Sequence, residues 1–212
     1  MLWAGYYNNL LLNNKLSLAS DIQIRTKNWD QQFYQGLVRT GLNYKFNSHL
    51  SITGGFAFFK NAQYADKDLL LKNEWRPWQE LSYQAKIKKI NFSQRLRTEQ
   101  RFMQLVSNGE KSKNYQYIFR LRYRFEGQFP LLKDEIIFLI ANEIMVNPGY
   151  LNNKLFFDQN RSFAGLNFKM NAHTALQLQY VKIFQWHSNT DIMEDQNVIR
   201  INILQQFNFR KK

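Results

Sequence analysis

RLRTEQRF at residues 95–102 and YQYIFRLRYRFEGQF at residues 115–129 alternate residue by residue between two kinds of side chain. In the first, Arg95, Arg97, Glu99 and Arg101 fall on one side. In the second, Arg120, Arg122, Arg124 and Glu126 share one side, and Tyr115, Tyr117, Phe119, Leu121, Tyr123 and Phe125 the other. A period of two is that of a β-strand, whose successive side chains point to opposite faces. These are long strands with one ionic face and one aromatic face.

The same alternation recurs from end to end, with no helical stripe. It predicts eleven strands, over 2–12, 16–27, 33–46, 49–60, 77–89, 91–106, 115–129, 134–147, 160–170, 174–186 and 196–209. Most exceed the ~5–6 residues of a soluble strand and suit a tilted membrane strand of about 9–11. Short connections (13–15, 47–49, the Lys89–Ile90 corner, 130–134, 171–174) alternate with long ones (28–32, 61–76, 107–114, 148–159, 187–195). Outer-membrane barrels have that asymmetry, with the short turns in the periplasm. Asn108 and Ser188 are then expected outside the cell, and His49 and His173 on the opposite rim. The expected fold is all-β: an antiparallel up-and-down transmembrane β-barrel of ten to twelve strands, a single domain over 1–212. An odd count conflicts with the even number usual in bacterial single-chain barrels. A strand before Met1 or a misread N-terminal segment is therefore favoured over odd closure.

Composition fits this class. Aromatics make up 16% of residues while all hydrophobics reach only 44%, so the apolar content is weighted toward Phe, Tyr and Trp. The longest strongly apolar run, IIFLIA at 136–141, falls far short of the ~20 residues of a spanning helix. No signal peptide is visible at Met1, so an exported chain is expected to have lost its signal. There is no cysteine, which removes disulfide and thiol chemistry.

Three features assign the apolar face to lipid and the ionic face to the lumen. Eleven long strands would make a soluble barrel too wide for side chains to fill, since about eight is the filled case. Arginine, whose planar fork suits crowded ion pairing, dominates the polar face. Tyr44, Phe46, Tyr83, Phe102, Tyr115, Phe125, Phe129, Phe168, Phe184, Trp186, Phe207 and Phe209 lie on the apolar face, mostly near strand ends, as aromatic girdles do. The predicted lumen-facing, solute-facing residues are Arg25, Arg39, Glu80, Arg95, Arg97, Glu99, Arg101, Arg120, Arg122, Arg124, Glu126, Glu143, Arg161 and Arg200. Pairing of the two opening strands is expected to set Glu99 opposite Arg122. Basic groups exceed acids on this face, in keeping with the net charge of +13.

Other chemistry finds little support. His187–Ser188–Asn189 is loosely similar to the His-x-Ser of outer-membrane phospholipases and lipid A deacylases, but adjacent residues in a strand face opposite ways. The three histidines, His49, His173 and His187, lie on two rims, so no metal site is expected. Asp191, Glu194 and Asp195 read as solvated loop acids without an EF-hand pattern. Gly54–Gly55 falls inside a strand, where glycine relieves a bend. Stacking on nucleic acid needs basic and aromatic groups on one surface, and alternation separates them, so no nucleic-acid partner is expected.

WAGYYNNLLLNNKLSLASDIQIR (3–25), VRTGLNYKF (38–46), RPWQE (76–80), QRLRTEQRF (94–102), FRLRYRF (119–125), NEIMVN (142–147) and FFDQNR (156–161), in this order, resemble an uncharacterised family of Gram-negative outer-membrane β-barrels catalogued as a domain of unknown function. More distantly, the chain resembles small monomeric porins for acidic oligosaccharides, whose lumens are arginine-rich. The resemblance implies an exported barrel in the cell outer membrane, with outer-membrane lipid, lipopolysaccharide and other outer-membrane proteins as partners. It carries over no activity and no catalytic residues, and neither enzyme activity nor a cofactor is expected. The leading functional expectation is a passive pore for small anionic solutes. The alternatives are a non-transporting structural or accessory subunit of a larger outer-membrane complex and, more weakly, a lipid-modifying enzyme. Arginines locked to Glu80, Glu99, Glu126 and Glu143 would instead plug the lumen.

Overall fold

The computed structural model describes residues 1–27, 32–65, 68–107, 109–132, 135–149, 156–187 and 192–209. Asn108, Ser188, Asn189 and Asp191 lie outside the described residues, as does the side chain of His187.

Eleven strands form one closed barrel. They are β1 (Leu2–Leu11), β2 (Leu16–Lys27), β3 (Gln32–Lys45), β4 (Leu50–Ala65), β5 (Asp68–Ile87), β6 (Ile90–Ser107), β7 (Glu110–Leu131), β8 (Ile136–Asn147), β9 (Phe156–Lys169), β10 (Thr174–His187) and β11 (Ile192–Asn208). Each strand pairs antiparallel with the next, and β1 closes on β11 in parallel, with Leu2 beside Ile199 and Leu11 beside Asn208. The odd closure, the less favoured reading of the sequence, is thus the one observed. An odd count makes the first and last strands run the same way, so the seam between them is parallel.

Asparagine shapes three short turns in the same way. Asn13 Oδ1 accepts hydrogen bonds from the backbone N–H of Lys15 and Leu16, Asn47 Oδ1 from His49 and Leu50, and Asn171 Oδ1 from His173, all at 2.8 Å. This is the side-chain mimicry of a backbone turn that favours asparagine there. At the opposite end two hairpins run well beyond the predicted strands. β4 and β5 stay paired out to Ala65 and Asp68, and β6 and β7 out to Ser107 and Glu110, where Gly109 turns at φ +77°. The segments read as long loops at 61–76 and 107–114 are therefore largely strand. Segments such as LLL at 69–71 lack alternation. Main-chain pairing does not require alternation where neither face is buried.

The two faces are inverted relative to a water-soluble protein. Ile22, Ile24, Val38, Tyr83, Phe125, Ile140 and Ile203 are exposed on the outside, and exposed large hydrophobics outnumber buried ones among the described residues. Of the aromatics assigned to the apolar face, Tyr44, Phe46, Tyr83, Phe102, Tyr115, Phe125, Phe184, Phe207 and Phe209 are exposed with them, whereas Trp186 borders an interior cavity. The inside, by contrast, is only partly ionic. Trp3, Leu139, Ala141, Phe163, Val181, Ile183 and Val198 form one buried cluster, and Leu37, Ala57, Phe59 and Trp78 a second. The ionic row read from the two opening strands therefore does not extend around the whole inner face. Strands β8–β11 and β3–β5 turn apolar rows inward as well.

Candidate functional site: the arginine-lined barrel interior

The strands β5 to β8 set their inward charges in register. Arg95 faces Arg124, Arg97 faces Arg122, and Glu99 faces Arg120. Glu99 is therefore not opposite Arg122, as expected from the sequence. The β6–β7 hairpin turns tighter than the sequence suggested and has an irregularity at Gln104–Val106, which moves the pairing by two residues. The ion pair forms nonetheless, because the guanidinium reaches diagonally: Arg122 Nη1 lies 2.6 Å from Glu99 Oε1.

From these positions an unbroken chain of alternating charge runs along the wall. Arg97 contacts Glu80 at 2.5 Å, and Glu80 contacts Arg95 at 3.5 Å. Arg95 meets Glu143 at 2.5 Å, and Glu143 meets Arg122 at 2.9 Å. Arg122 continues to Glu99, Glu99 to Arg76 at 3.0 Å, Arg76 to Glu74 at 2.6 Å, and Glu74 to Arg101 at 2.6 Å. Separate pairs join Arg120 to Asp158, Arg124 to Glu126 and Arg39 to Asp21. Like charges placed directly opposite on neighbouring strands would repel strongly in a confined interior. The interleaved glutamates remove that repulsion.

Interior aromatics carry the arginines that the chain brings inward. The guanidinium of Arg76 lies 3.9 Å from the centroid of Phe59, that of Arg124 4.3 Å from Phe163, that of Arg97 4.4 Å from Trp78, and that of Arg25 4.2 Å from Trp3. A desolvated cation over an aromatic face contributes about 2 kcal/mol. The separation of basic and aromatic groups read from alternation is thus incomplete, and the combination lies inside a closed barrel. Trp78 lies against the wall over Gly41 and Gly55, which face each other on β3 and β4. A Cβ on Gly55 would come within 2.6 Å of Trp78 and 2.2 Å of Thr40 O, whereas Gly54 has nothing within 4 Å. Glycine at 55 makes room for an indole.

Two cavities lie end to end. One, of about 630 Å³, opens toward the long connections, and the other, of about 710 Å³, toward the short turns near His49 and His173. Tyr7, Arg39 and Trp78 line both. Of the predicted lumen residues, Arg25, Arg39, Arg95, Glu99, Arg101, Arg120, Arg122, Arg124, Glu143, Arg161 and Arg200 line the first. Glu80 and Arg97 line the second, and Glu126 lines a smaller space of about 270 Å³ beside Arg95 and Arg200. All fourteen face the interior. Glu194 and Asp195, read as loop acids, lie on β11 instead, and Asp195 accepts a hydrogen bond from Lys182 Nζ at 2.6 Å.

Sequence reasoning missed Glu74, Arg76, Asp158, Trp3 and Trp78. The first three fell in predicted connections, although Glu74 and Arg76 share the parity of Glu80 and carry the inward row two steps further. The two tryptophans have the parity of the inward arginines, and both are 4% exposed.

The family described as "Protein of unknown function (DUF2490)" matches residues 1–194. The chain belongs to this family. No curated protein and no solved structure matches it. The DUF2490 match takes in β1 to β10 and every acid of the charged chain, while Arg200 lies beyond it. The DUF2490 description assigns no activity, so function is argued from the geometry of the interior.

Proposed function

We propose that this chain is an outer-membrane β-barrel whose basic lumen admits small anions. The observation that carries this reading is the pair of cavities stacked along the barrel, meeting at Tyr7, Arg39 and Trp78, of which the one toward the long connections gathers ten arginines and the other is walled mainly by neutral polar side chains with Arg39 and Arg97. Low-dielectric walls focus such a potential on anything that enters. The membrane setting is supported by the outer face. Water-soluble monomers rarely expose contiguous apolar patches beyond a few hundred Å². The polar groups on that face also bond to one another. Gln79 accepts hydrogen bonds from Thr98 and Gln100, and Asn142, Asn160 and Ser162 form a second cluster. Mutual satisfaction is what a surface without water requires.

Conductance of the folded protein in a planar lipid bilayer tests the proposal. The expected result is a small conductance that prefers chloride over potassium, with the preference weakening as salt screens the charges. A second reading, a non-transporting subunit of a larger outer-membrane assembly, is favoured by the ion pairs, since the unbroken chain and the three separate pairs together tie down most of the interior arginines. Correctly folded protein that passes no current would overturn the pore reading and leave the second.

A further inference from the structure

We propose that Arg25, Arg161 and Arg200 form an oxyanion site around Trp3, taking a phosphate or sulfate group. The inference rests on the reading of the lumen as open to anions and gives the anion a place and a chemical class.

Three observations converge. First, these arginines are the ones without a counter-charge: among the described residues none has a carboxylate within 4.0 Å, unlike the arginines of the charged chain. Arg25 donates to Gln35 and Gln23, Arg161 donates to Gln159, and Arg200 donates to Gln179 and Tyr7, all neutral acceptors. Second, they gather at one place. Trp3 on β1 sits between Arg25 on β2 and Arg200 on β11 in the strand register. The guanidinium of Arg161 reaches to 5.3 Å from the centroid of the same indole that Arg25 covers. Third, donors are left over. Trp3 Nε1 and Arg25 Nε are buried with no acceptor, and Trp3 is 4% exposed.

The cavity beside them offers no acid to meet this excess. Its described acids are Glu74, Glu99, Glu143 and Asp158, and each is engaged by another arginine. Several guanidiniums and unmet N–H donors at the rim of a cavity need acceptor oxygens carrying negative charge. Arginine's planar fork matches the oxygens of phosphate and sulfate two at a time. A monovalent halide offers one centre and cannot bridge three forks. The cavity, at about 630 Å³, has room for the anion alone or for the group on a small solute.

The test is titration of the full chain, folded in lipid vesicles, with inorganic phosphate and with sulfate, read by calorimetry and tryptophan fluorescence. Saturable binding of both is expected, with chloride competing only weakly. R25Q and R161Q should each lower affinity at least tenfold, W3F severalfold, and K182Q on the outer face not at all. Glucose 6-phosphate distinguishes the source of the group: tighter binding than inorganic phosphate assigns a solute-borne group, and weaker binding the free ion. Folded wild-type protein that binds neither anion saturably overturns the site, as does chloride competing on equal terms, and neither result depends on a variant folding. Conductance measured on the same preparation separates the two readings. A barrel that conducts anions without saturable phosphate binding loses the site and keeps the pore. One that binds phosphate without conducting keeps the site and loses the pore.

Discussion

Arg122 holds Glu143 by three hydrogen bonds: its Nη2 lies 2.9 Å from both carboxylate oxygens and its Nε 3.3 Å from one of them. Glu143 also receives Arg95 from β6, so one carboxylate on β8 ties two neighbouring strands to a third. Such a pair, once desolvated, gains little over an apolar replacement, but breaking one side leaves an uncompensated charge.

Glu143→Ala removes one partner each from Arg122 and Arg95, leaving Glu99 alone to face the first and Glu80 the second. Urea titration of the lipid-folded barrel should show a loss of about 3–5 kcal/mol, as for other broken buried pairs. Glu143→Met combined with Arg122→Met should recover most of that loss. Equal destabilisation by the single and double variants would mean that the pair contributes shape and not charge.

Gly54 and Gly55 are neighbours with opposite fates. Gly55→Ala places a methyl 2.2 Å from the carbonyl oxygen of Thr40, a backbone atom that cannot swing away. Overpacking of this kind costs about 1–3 kcal/mol. Gly54→Ala meets nothing within 4 Å and should leave the unfolding midpoint unchanged or slightly raised. A comparable loss at both positions would show that strand curvature, not room for Trp78, requires the glycines.

The parallel seam can be measured directly. Ala4 pairs with Ile201, whereas Phe207 pairs with Leu10. At about 3.3 Å per residue, Ala4 and Phe207 are about 20 Å apart along the seam. Ala4→Cys with Ile201→Cys should be bridged efficiently by a short bis-maleimide, and Ala4→Cys with Phe207→Cys should not. Bridging of the second pair in preference to the first would contradict the register and the direction of closure.

Ile22 and Val38 face each other on the outside of β2 and β3 and are each more than half exposed. If that face meets lipid, Ile22→Arg should cost about 2–4 kcal/mol near the bilayer midplane. Ile22→Leu, which keeps that face apolar, should cost less than about 1.5 kcal/mol. Ile22→Arg folding in lipid vesicles as readily as wild type, or wild type folding to a monomer in buffer alone, would remove the lipid assignment.

The alternation in 95–102 and 115–129 settled on its own that these segments are two-faced strands, because a period of two is local and survives any tertiary context. It also placed all fourteen predicted residues on the interior side, since parity along a paired strand is inherited from residue to residue. The sequence did not reveal which arginine meets which acid. That depends on hairpin register, and the tight turn at Gly109 moved it by two residues. Trp3 and Trp78 share the parity of the inward arginines, but their role as platforms exists only once neighbouring strands bring guanidiniums over them. Arg161 reaches Trp3 from β9, on the far side of β10 and β11, a contact made by closing the barrel and by nothing local. Barrel closure likewise decided the direction of the seam. The count of strands was legible from the periodicity, but which edges meet is a property of the closed sheet, where every unpaired backbone edge must find a partner.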